Sequence, residues 1–231
     1  MNKKYVVIIP ARGGSKGIPK KNLKNFLGEP LLQHSIDYAK QSKLVNQIIL
    51  TTDSDEIMQI GKDNNISVVD RPKELSGDYA STESAIEHVI SLFNYSLKTI
   101  FILLQPTSPL RPKNSLDKMI GIFNKEGYDS MLTLSPIHPL TWKINKKIPE
   151  CMYDYLNRPR RQDFKEKDLI YDENGSVYIF KYEIFKKESN RLGGKIGSFI
   201  FGEEYGKQID TPLDFELLET LGKYLKRTKD E

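Results

Sequence analysis

Arg12, Lys16, Lys20 and Lys21 stand among Gly13, Gly14 and Gly17, three glycines within five residues. Residues of these types at this spacing suit one chemistry. Glycine lets the backbone approach a ligand closely and turn successive N–H groups onto anionic oxygens, while Arg and Lys supply the countercharge. The stretch follows an apolar β-branched run, Val6 to Ile9, that stops at Pro10, so it reads as a loop leaving a buried strand and as a polyphosphate cradle. Two familiar cradles do not fit. A P-loop needs Lys and then Ser or Thr after its second glycine, whereas Ile18 and Pro19 follow Gly17; a dinucleotide fingerprint needs Gly-x-Gly-x-x-Gly opening a helix. Glycines alone also make strand-to-helix turns, and it is the cations that favour phosphate.

Further stretches carry groups able to bind a ligand. Gln105-Pro106-Thr107-Ser108-Pro109-Leu110-Arg111 follows an apolar run, Thr99 to Leu104; the prolines stiffen it and Gln, Thr and Ser can hydrogen-bond, although a plain turn favours Pro and Ser too. Arg158-Pro159-Arg160-Arg161-Gln162-Asp163 reads on its own as a solvated charge run. Asp172 to Ser176 reads as a turn before a strand at Val177 to Phe180, Asn174-Gly175 favouring positive φ. Thr211 is a good N-cap and Pro212 a favoured first helical residue, which explains Asp214 as a first-turn anion and leaves Asp210 free to reach a metal. Asp53-Ser54-Asp55-Glu56 reads as a helix start, with caps and anions rather than metal ligands.

Pro10-Ala11-Arg12-Gly13-Gly14-Ser15-Lys16-Gly17-Ile18-Pro19-Lys20-Lys21-Asn22 resembles the opening motif of the acylneuraminate cytidylyltransferases, the CMP-sialic acid synthetases, and Gln105 to Arg111 resembles a second motif of that family. The resemblance spans nearly the whole chain. It implies that the loop holds the triphosphate of CTP, with Ala11, Arg12, Gly13, Ser15, Lys16 and Asn22 at the nucleotide and Arg12 and Lys21 serving the transfer itself. It implies Arg71 and Thr82 beside the nucleotide, Gln105, Thr107 and Ser108 against nucleotide and acyl sugar, and Asn174 and Tyr178 in the sugar pocket, with Ser176 where the motif has Ala. In the family an arm reaches into the partner subunit of a homodimer, which implies contacts in trans from Arg160, Arg161 and Gln162. Members commonly carry an Asp-x-Asp pair for Mg²⁺ where this chain reads Gln208-Ile209-Asp210, so Asp210 is the expected Mg²⁺ ligand and one carboxylate is missing. The implied reaction joins CTP and a nonulosonic acid to give a CMP-sugar and pyrophosphate. A sugar-1-phosphate nucleotidylyltransferase and a non-catalytic nucleotide-binding protein remain as alternatives.

These groups need a scaffold. Strands are expected at Val6–Ile9, Gln47–Thr52, Ile66–Val69, Thr99–Leu104 and Tyr128–Leu134, with helices at about Pro30–Gln41, Asp53–Asn64, Ser84 onward and Lys113–Lys125. Ser84 with Glu87 has capping-box spacing, and His34 reads as a structural residue within its helix. Alternating strands and helices imply a doubly wound, mostly parallel α/β sheet, in which ligands bind beyond the carboxyl ends of the strands. That would bring Gln105 beside the glycine-rich loop. Between about residues 136 and 170 the alternation breaks, and four prolines with the sole Trp mark an inserted dimerisation arm on a single domain, 1–231.

The composition adds exclusions. A formal charge of +4 is too small and dispersed for a nucleic-acid footprint, and an anionic small molecule suffices. No apolar run of membrane-spanning length occurs, and no secretory leader precedes the first strand, so a cytoplasmic location is expected. The single Cys151 fits a reducing compartment and has no His placed to activate it.

Overall fold

The β-branched run that opens the chain forms β1 (Tyr5–Pro10), buried through Ile9. A computed structural model describes residues 4–228, the side chains of Arg161 and Lys167 excepted. Beyond the glycine-rich loop lie a 3-10 turn (Lys21–Leu23), the short paired strands β2 (Asn25–Phe26) and β3 (Glu29–Pro30), and α1 (Leu31–Lys40). Then come β4 (Gln47–Thr52), α2 (Asp55–Asp63), β5 (Ser67–Asp70), α3 (Thr82–Ser91), β6 (Ile100–Leu104) and α4 (Ser115–Lys125). β7 (Ser130–Ile137) leads into a hairpin of β8 (Trp142–Asn145) and β9 (Ile148–Cys151), and the chain closes with β10 (Ile170–Lys181), α5 (Tyr182–Glu188), β11 (Ile196–Ile200) and α6 (Pro212–Arg227).

The main sheet has the order β11-β7-β10-β6-β1-β4-β5, with β10 antiparallel to both neighbours and every other pairing parallel. This is the doubly wound, mostly parallel sheet expected from the sequence. Successive residues face opposite sides. Val7, Ile9 and Ile102 pack with Ile36 of α1 and Met119 and Phe123 of α4; Val6, Ile8 and Phe101 pack with Ile86 and Val89 of α3 and Phe185 of α5. From β1 the chain builds outward through β4 and β5, then crosses to β6 on the other side. The loops leaving β1 and β6 therefore diverge around one crevice, the place where such sheets bind ligands.

Two local expectations are corrected. The third helix is capped by Ser81, whose Oγ accepts the Ser84 N–H at 3.0 Å, and Ser84 sits inside the first turn. Both serines have cap chemistry, and sequence alone does not rank them. Asp172 to Ser176 is not a hairpin turn: β10 runs through it with a register shift between Glu173 and Tyr178, and Gly175 takes φ +62°. Asn174 bridges the irregularity, its Oδ1 accepting from Thr133 Oγ1 at 2.6 Å and from the Ser176 N–H at 3.1 Å, its Nδ2 donating to Ser135 Oγ at 3.0 Å. Positive φ suits a turn and a bulge alike, and the partners on β7 decide for the bulge.

Candidate active site

A cleft of about 390 Å³ opens at the crevice between β1 and β6. Its walls include Arg12, Ser15, Lys16, Lys21 and Asn22 from the glycine-rich loop, Arg71 after β5, Thr82 at the start of α3, Gln105 and Thr107 after β6, and Asp210 before α6. Residues expected at the nucleotide are thus brought together from positions far apart in the chain.

The loop is fixed from behind. The Gly13 N–H donates to Asp53 Oδ1 at 2.8 Å, and Asn22 Nδ2 donates to the Arg12 carbonyl at 3.0 Å. Gly17 abuts the last segment so closely that a Cβ there would lie 2.3 Å from the Asp210 carbonyl oxygen. Any side chain at residue 17 would push the loop and Asp210 apart. Lys21 Nζ donates to the Ile209 carbonyl at 2.6 Å and lies 3.5 Å from Asp210 Oδ1. Burial lowers the Lys21 pKa below the ordinary lysine range, with Asp210 opposing and Arg12 adding to the shift. Burial likewise lowers the Arg71 pKa, Asp53 opposing it, and Arg71 Nε donates to Ser76 Oγ at 3.0 Å.

The neighbouring adjacent residues differ. Lys20 turns outward and donates to both oxygens of Glu56 at 2.8 Å, so the paired lysines of the motif divide between surface and cleft. Ala11 is buried beneath the loop, and Gly13 does not line the cleft.

Behind the Gln105 turn most polar groups bond within the protein, although among the described residues Arg111 Nε and Ser176 Oγ are buried without a hydrogen-bond partner. Arg111 is buried, and it donates to Ser35 Oγ at 3.1 Å, to the Gln105 carbonyl at 2.8 Å and to the Ser176 carbonyl at 3.1 Å, its guanidinium 5.2 Å from the centre of the Tyr38 ring. Burial brings its pKa down to about 10, so it stays cationic at neutral pH. Ser108 Oγ donates to the Asn174 carbonyl at 3.2 Å, which ties the Gln105–Arg111 turn to β10. Ser108, Asn174 and Tyr178 are all buried and outside the cleft lining. Tyr178 donates to Glu173 at 2.5 Å with Arg191 over its ring at 4.4 Å, and burial pushes its pKa up to about 12. Arg160 and Gln162 lie between β9 and β10 and do not line the cleft; Arg160 pairs with Asp163 at 2.8 Å, and the Arg161 side chain lies outside the described residues.

A cytidylyltransferase family profile matches residues 6–227. The chain belongs to the cytidylyltransferase family. Among similar curated proteins, the N-acylneuraminate cytidylyltransferase of Escherichia coli O18:K1:H7 is 28% identical over 99% of this chain and 54% of its own length. N-acylneuraminate cytidylyltransferase A of Danio rerio is 33% identical over 92% and 49%, and the Streptococcus agalactiae serotype III enzyme is 31% identical over 92% and 52%. The chain spans about half the length of the curated relatives it matches. Among solved structures, a CMP:2-keto-3-deoxy-manno-octonic acid synthetase complexed with CTP superposes with a TM-score of 0.70 at 20% identity, over 96% of this chain and 99% of that one. A 4-diphosphocytidyl-2C-methyl-D-erythritol synthase from Anaerococcus prevotii gives 0.66 at 14%, over 97% and 99%. At these identities the structures speak to the fold.

In this member of the family the sequence did not single out two carboxylates that contact the glycine-rich loop, Asp53 and Asp78. Asp53, read as part of a helix start, instead accepts from the loop, while Ser54 caps α2. Asp78 pairs with both Arg12 and Lys16. Gln208 was visible only as a departure from Asp-x-Asp; its Oε1 accepts from Thr107 Oγ1 at 3.2 Å, and a Cβ on Gly175 would strike its Nε2 at 2.5 Å. Carboxylates spaced across different loops leave no local pattern to recognise. His34 is structural as expected, its Nε2 2.7 Å from the Phe26 carbonyl oxygen.

Proposed function

We propose that this cytidylyltransferase joins CTP to a nonulosonic acid. The anomeric hydroxyl of the acid attacks the α-phosphorus, the bond from that phosphorus to the β-phosphate bridging oxygen breaks, and pyrophosphate leaves as the hydroxyl proton passes to solvent. The observation that carries this is the convergence of Arg12, Lys16, Lys21 and Arg71 in one cleft with Gln105 and Thr107. Phosphoryl transfer needs positioning and charge neutralisation more than covalent chemistry, and four cations facing hydrogen-bonding groups supply both. The sugar-acid acceptor rests on the relatives' names and on the motif resemblance.

Asp210 is the candidate Mg²⁺ ligand. Its side chain is 70% exposed at the cleft edge, and no group of three or more His, Cys, Asp or Glu able to hold a metal occurs among the described residues. That donor set fits Mg²⁺, which takes one or two carboxylates together with substrate phosphates and waters. Bound there, Mg²⁺ would act as a Lewis acid on the phosphates. Lys21, beside Asp210, holds positive charge against the leaving pyrophosphate, and Gln105 and Thr107 orient the acceptor.

The arm supports a homodimer in this reading. Ile144, Ile148 and Leu156 stand exposed on it, Leu156 at 80%. Among the described residues no arm side chain lines the cleft of its own chain, so Arg160, Arg161 and Gln162 would serve a partner's site. Mixing inactive Arg161→Ala and Lys21→Ala proteins should restore partial activity through heterodimers with one intact composite site; no recovery after verified subunit exchange would sink this. No helix among the described residues is long and apolar enough to cross a membrane. A reaction drawing on CTP belongs in the cytoplasm, and recovery of the enzyme outside producing cells would overturn that placement.

The deciding experiment is pyrophosphate release with CTP against a panel of nonulosonic acids and sugar phosphates. Release with the acids alone is expected. Release with sugar phosphates alone would assign another acceptor class, and CTP binding without any release would leave a nucleotide-binding protein.

A further inference from the structure

The segment between β5 and α3 contains the one carboxylate among the described residues that meets two of the proposed phosphate ligands at once. Asp78 Oδ2 lies 2.8 Å from Lys16 Nζ and Asp78 Oδ1 lies 3.2 Å from Arg12 NH1, while the same Arg12 nitrogen donates to the Gly77 carbonyl at 3.1 Å. A carboxylate bridging two cations imitates a phosphate, because both present acceptor oxygens to the same charge-assisted donors. Lys16 first, and then Arg12, holds the Asp78 carboxyl below the usual carboxylate range, so it is ionised at neutral pH.

The segment is anchored at both ends and tethered in the middle. Ser76 accepts from Arg71 at one end, and Ser81 caps α3 at the other. Between them a turn closes from the Ala80 N–H to the Gly77 carbonyl, and Tyr79 is fully exposed. Among the described residues, the polar contacts from this tip to the rest of the chain are those of Gly77 and Asp78 with Arg12 and Lys16. Gly77, Asp78 and Ala80 also line the cleft. The tip is thus held across the cleft mouth by the two cations that a triphosphate would claim.

We propose that Asp78 is the resident anion of the triphosphate subsite, holding Arg12 and Lys16 in the nucleotide-free protein and surrendering them to CTP. Nucleotide binding is then an exchange of anions that unties residues 77–80 from the loop after β1. Both salt bridges are solvent-exposed, so the competition is modest and CTP prevails easily. The proposal rests on the reading that Arg12 and Lys16 bind the phosphates, and its test separates the two.

Calorimetric titration of the whole protein with CTP, and with pyrophosphate as a probe lacking base and sugar, should show Asp78→Asn binding both more tightly than wild type. About three- to ten-fold is expected from removal of two exposed ion pairs. Asp78→Glu, which keeps the charge, should stay within about two-fold of wild type. In the same series Arg12→Ala and Lys16→Ala should weaken pyrophosphate binding. Weaker or unchanged binding by Asp78→Asn, alongside weakened binding by the Arg12 and Lys16 variants, would overturn the proposal while leaving the phosphate subsite in place. Unchanged pyrophosphate affinity in Arg12→Ala and Lys16→Ala would remove the subsite itself and the proposal with it.

Discussion

Arg111 backs the turn that carries Gln105 without lining the cleft, whereas Lys16 lines it, and the two cations live in different worlds. Arg111 is 8% exposed and holds two main-chain carbonyls and a hydroxyl, whereas the Lys16 side chain is 75% exposed and holds a single carboxylate on a loop. The first wall is preorganised: Gln105 and Ser176 are pinned before any ligand arrives, so little ordering is left to do on binding. The second keeps its charges in solvent, where a polyphosphate can reach them. A buried cation bonded to main-chain carbonyls fixes the turn that carries Gln105; an exposed one with a replaceable partner is free to take a ligand.

The comparison breaks most visibly at Arg111. Arg111→Met leaves buried carbonyls without donors and should cost about 3 to 5 kcal/mol of stability. Arg111→Lys should recover only part, since one ammonium cannot reproduce the planar fork. Urea denaturation measures both, and a Met variant as stable as wild type would end the claim that this wall is held by Arg111.

On the exposed wall, Asp210→Asn should abolish turnover at any Mg²⁺ concentration, while Gln208→Asp should stay active and lower the Mg²⁺ needed for half-maximal rate. An active Asp210→Asn enzyme with an unchanged Mg²⁺ titration would refute the metal assignment.

Lys21 lies between the extremes. Lys21→Ala should lower kcat by about 2 to 4 kcal/mol of transition-state stabilisation with folding retained. Its charge carries a pH signature. Because burial depresses its pKa, Lys21 loses its proton at lower pH than an ordinary lysine, so kcat/KM should fall on the alkaline side earlier than an exposed lysine would allow. Bound triphosphate pulls that pKa back up, and the limb in kcat should lie at higher pH. Coincident limbs would take Lys21 out of contact with the nucleotide.

The smallest effect belongs to Lys20. Lys20→Ala removes an exposed pair with Glu56 and should change stability by less than about 1 kcal/mol and leave kcat near wild type. A loss matching that of Lys21→Ala would erase the distinction between the paired lysines.

These contrasts also mark what the sequence could and could not say. The alternation of apolar runs and amphipathic helices was enough for the doubly wound sheet, because burial on both faces of a parallel sheet demands that pattern. The cationic loop and the Gln105 turn were legible as motifs, and the topology puts them together. Lys20 and Lys21 were indistinguishable in composition, since a local reversal of the backbone at Lys20, with φ 50°, is what sends one outward. Ser81 and Ser84 both carry cap chemistry, and only the helix start at Thr82 ranks them. Asn174-Gly175 spelled a turn, and only Thr133 and Ser135 across the sheet make it a bulge. Asp53 and Asp78 carry no spacing signal toward the loop they contact, being 40 residues from Gly13 and 66 from Arg12.

The close seat of Gly17 on the Asp210 carbonyl also sets an order of assembly. Lys21 and Ile209, bonded to each other, are 188 residues apart, so the cleft closes only when the segment before α6 docks against the first loop of the chain. During synthesis the sheet can begin to form around β1, β4 and β6 while the cleft still lacks one wall. Such long-range closure is slow. Nucleotide therefore cannot template the early fold, and stabilises the protein only after the segment before α6 has docked. Truncations that spare every strand but remove the chain from Gly206 onward should yield chains that collapse without gaining protection from CTP.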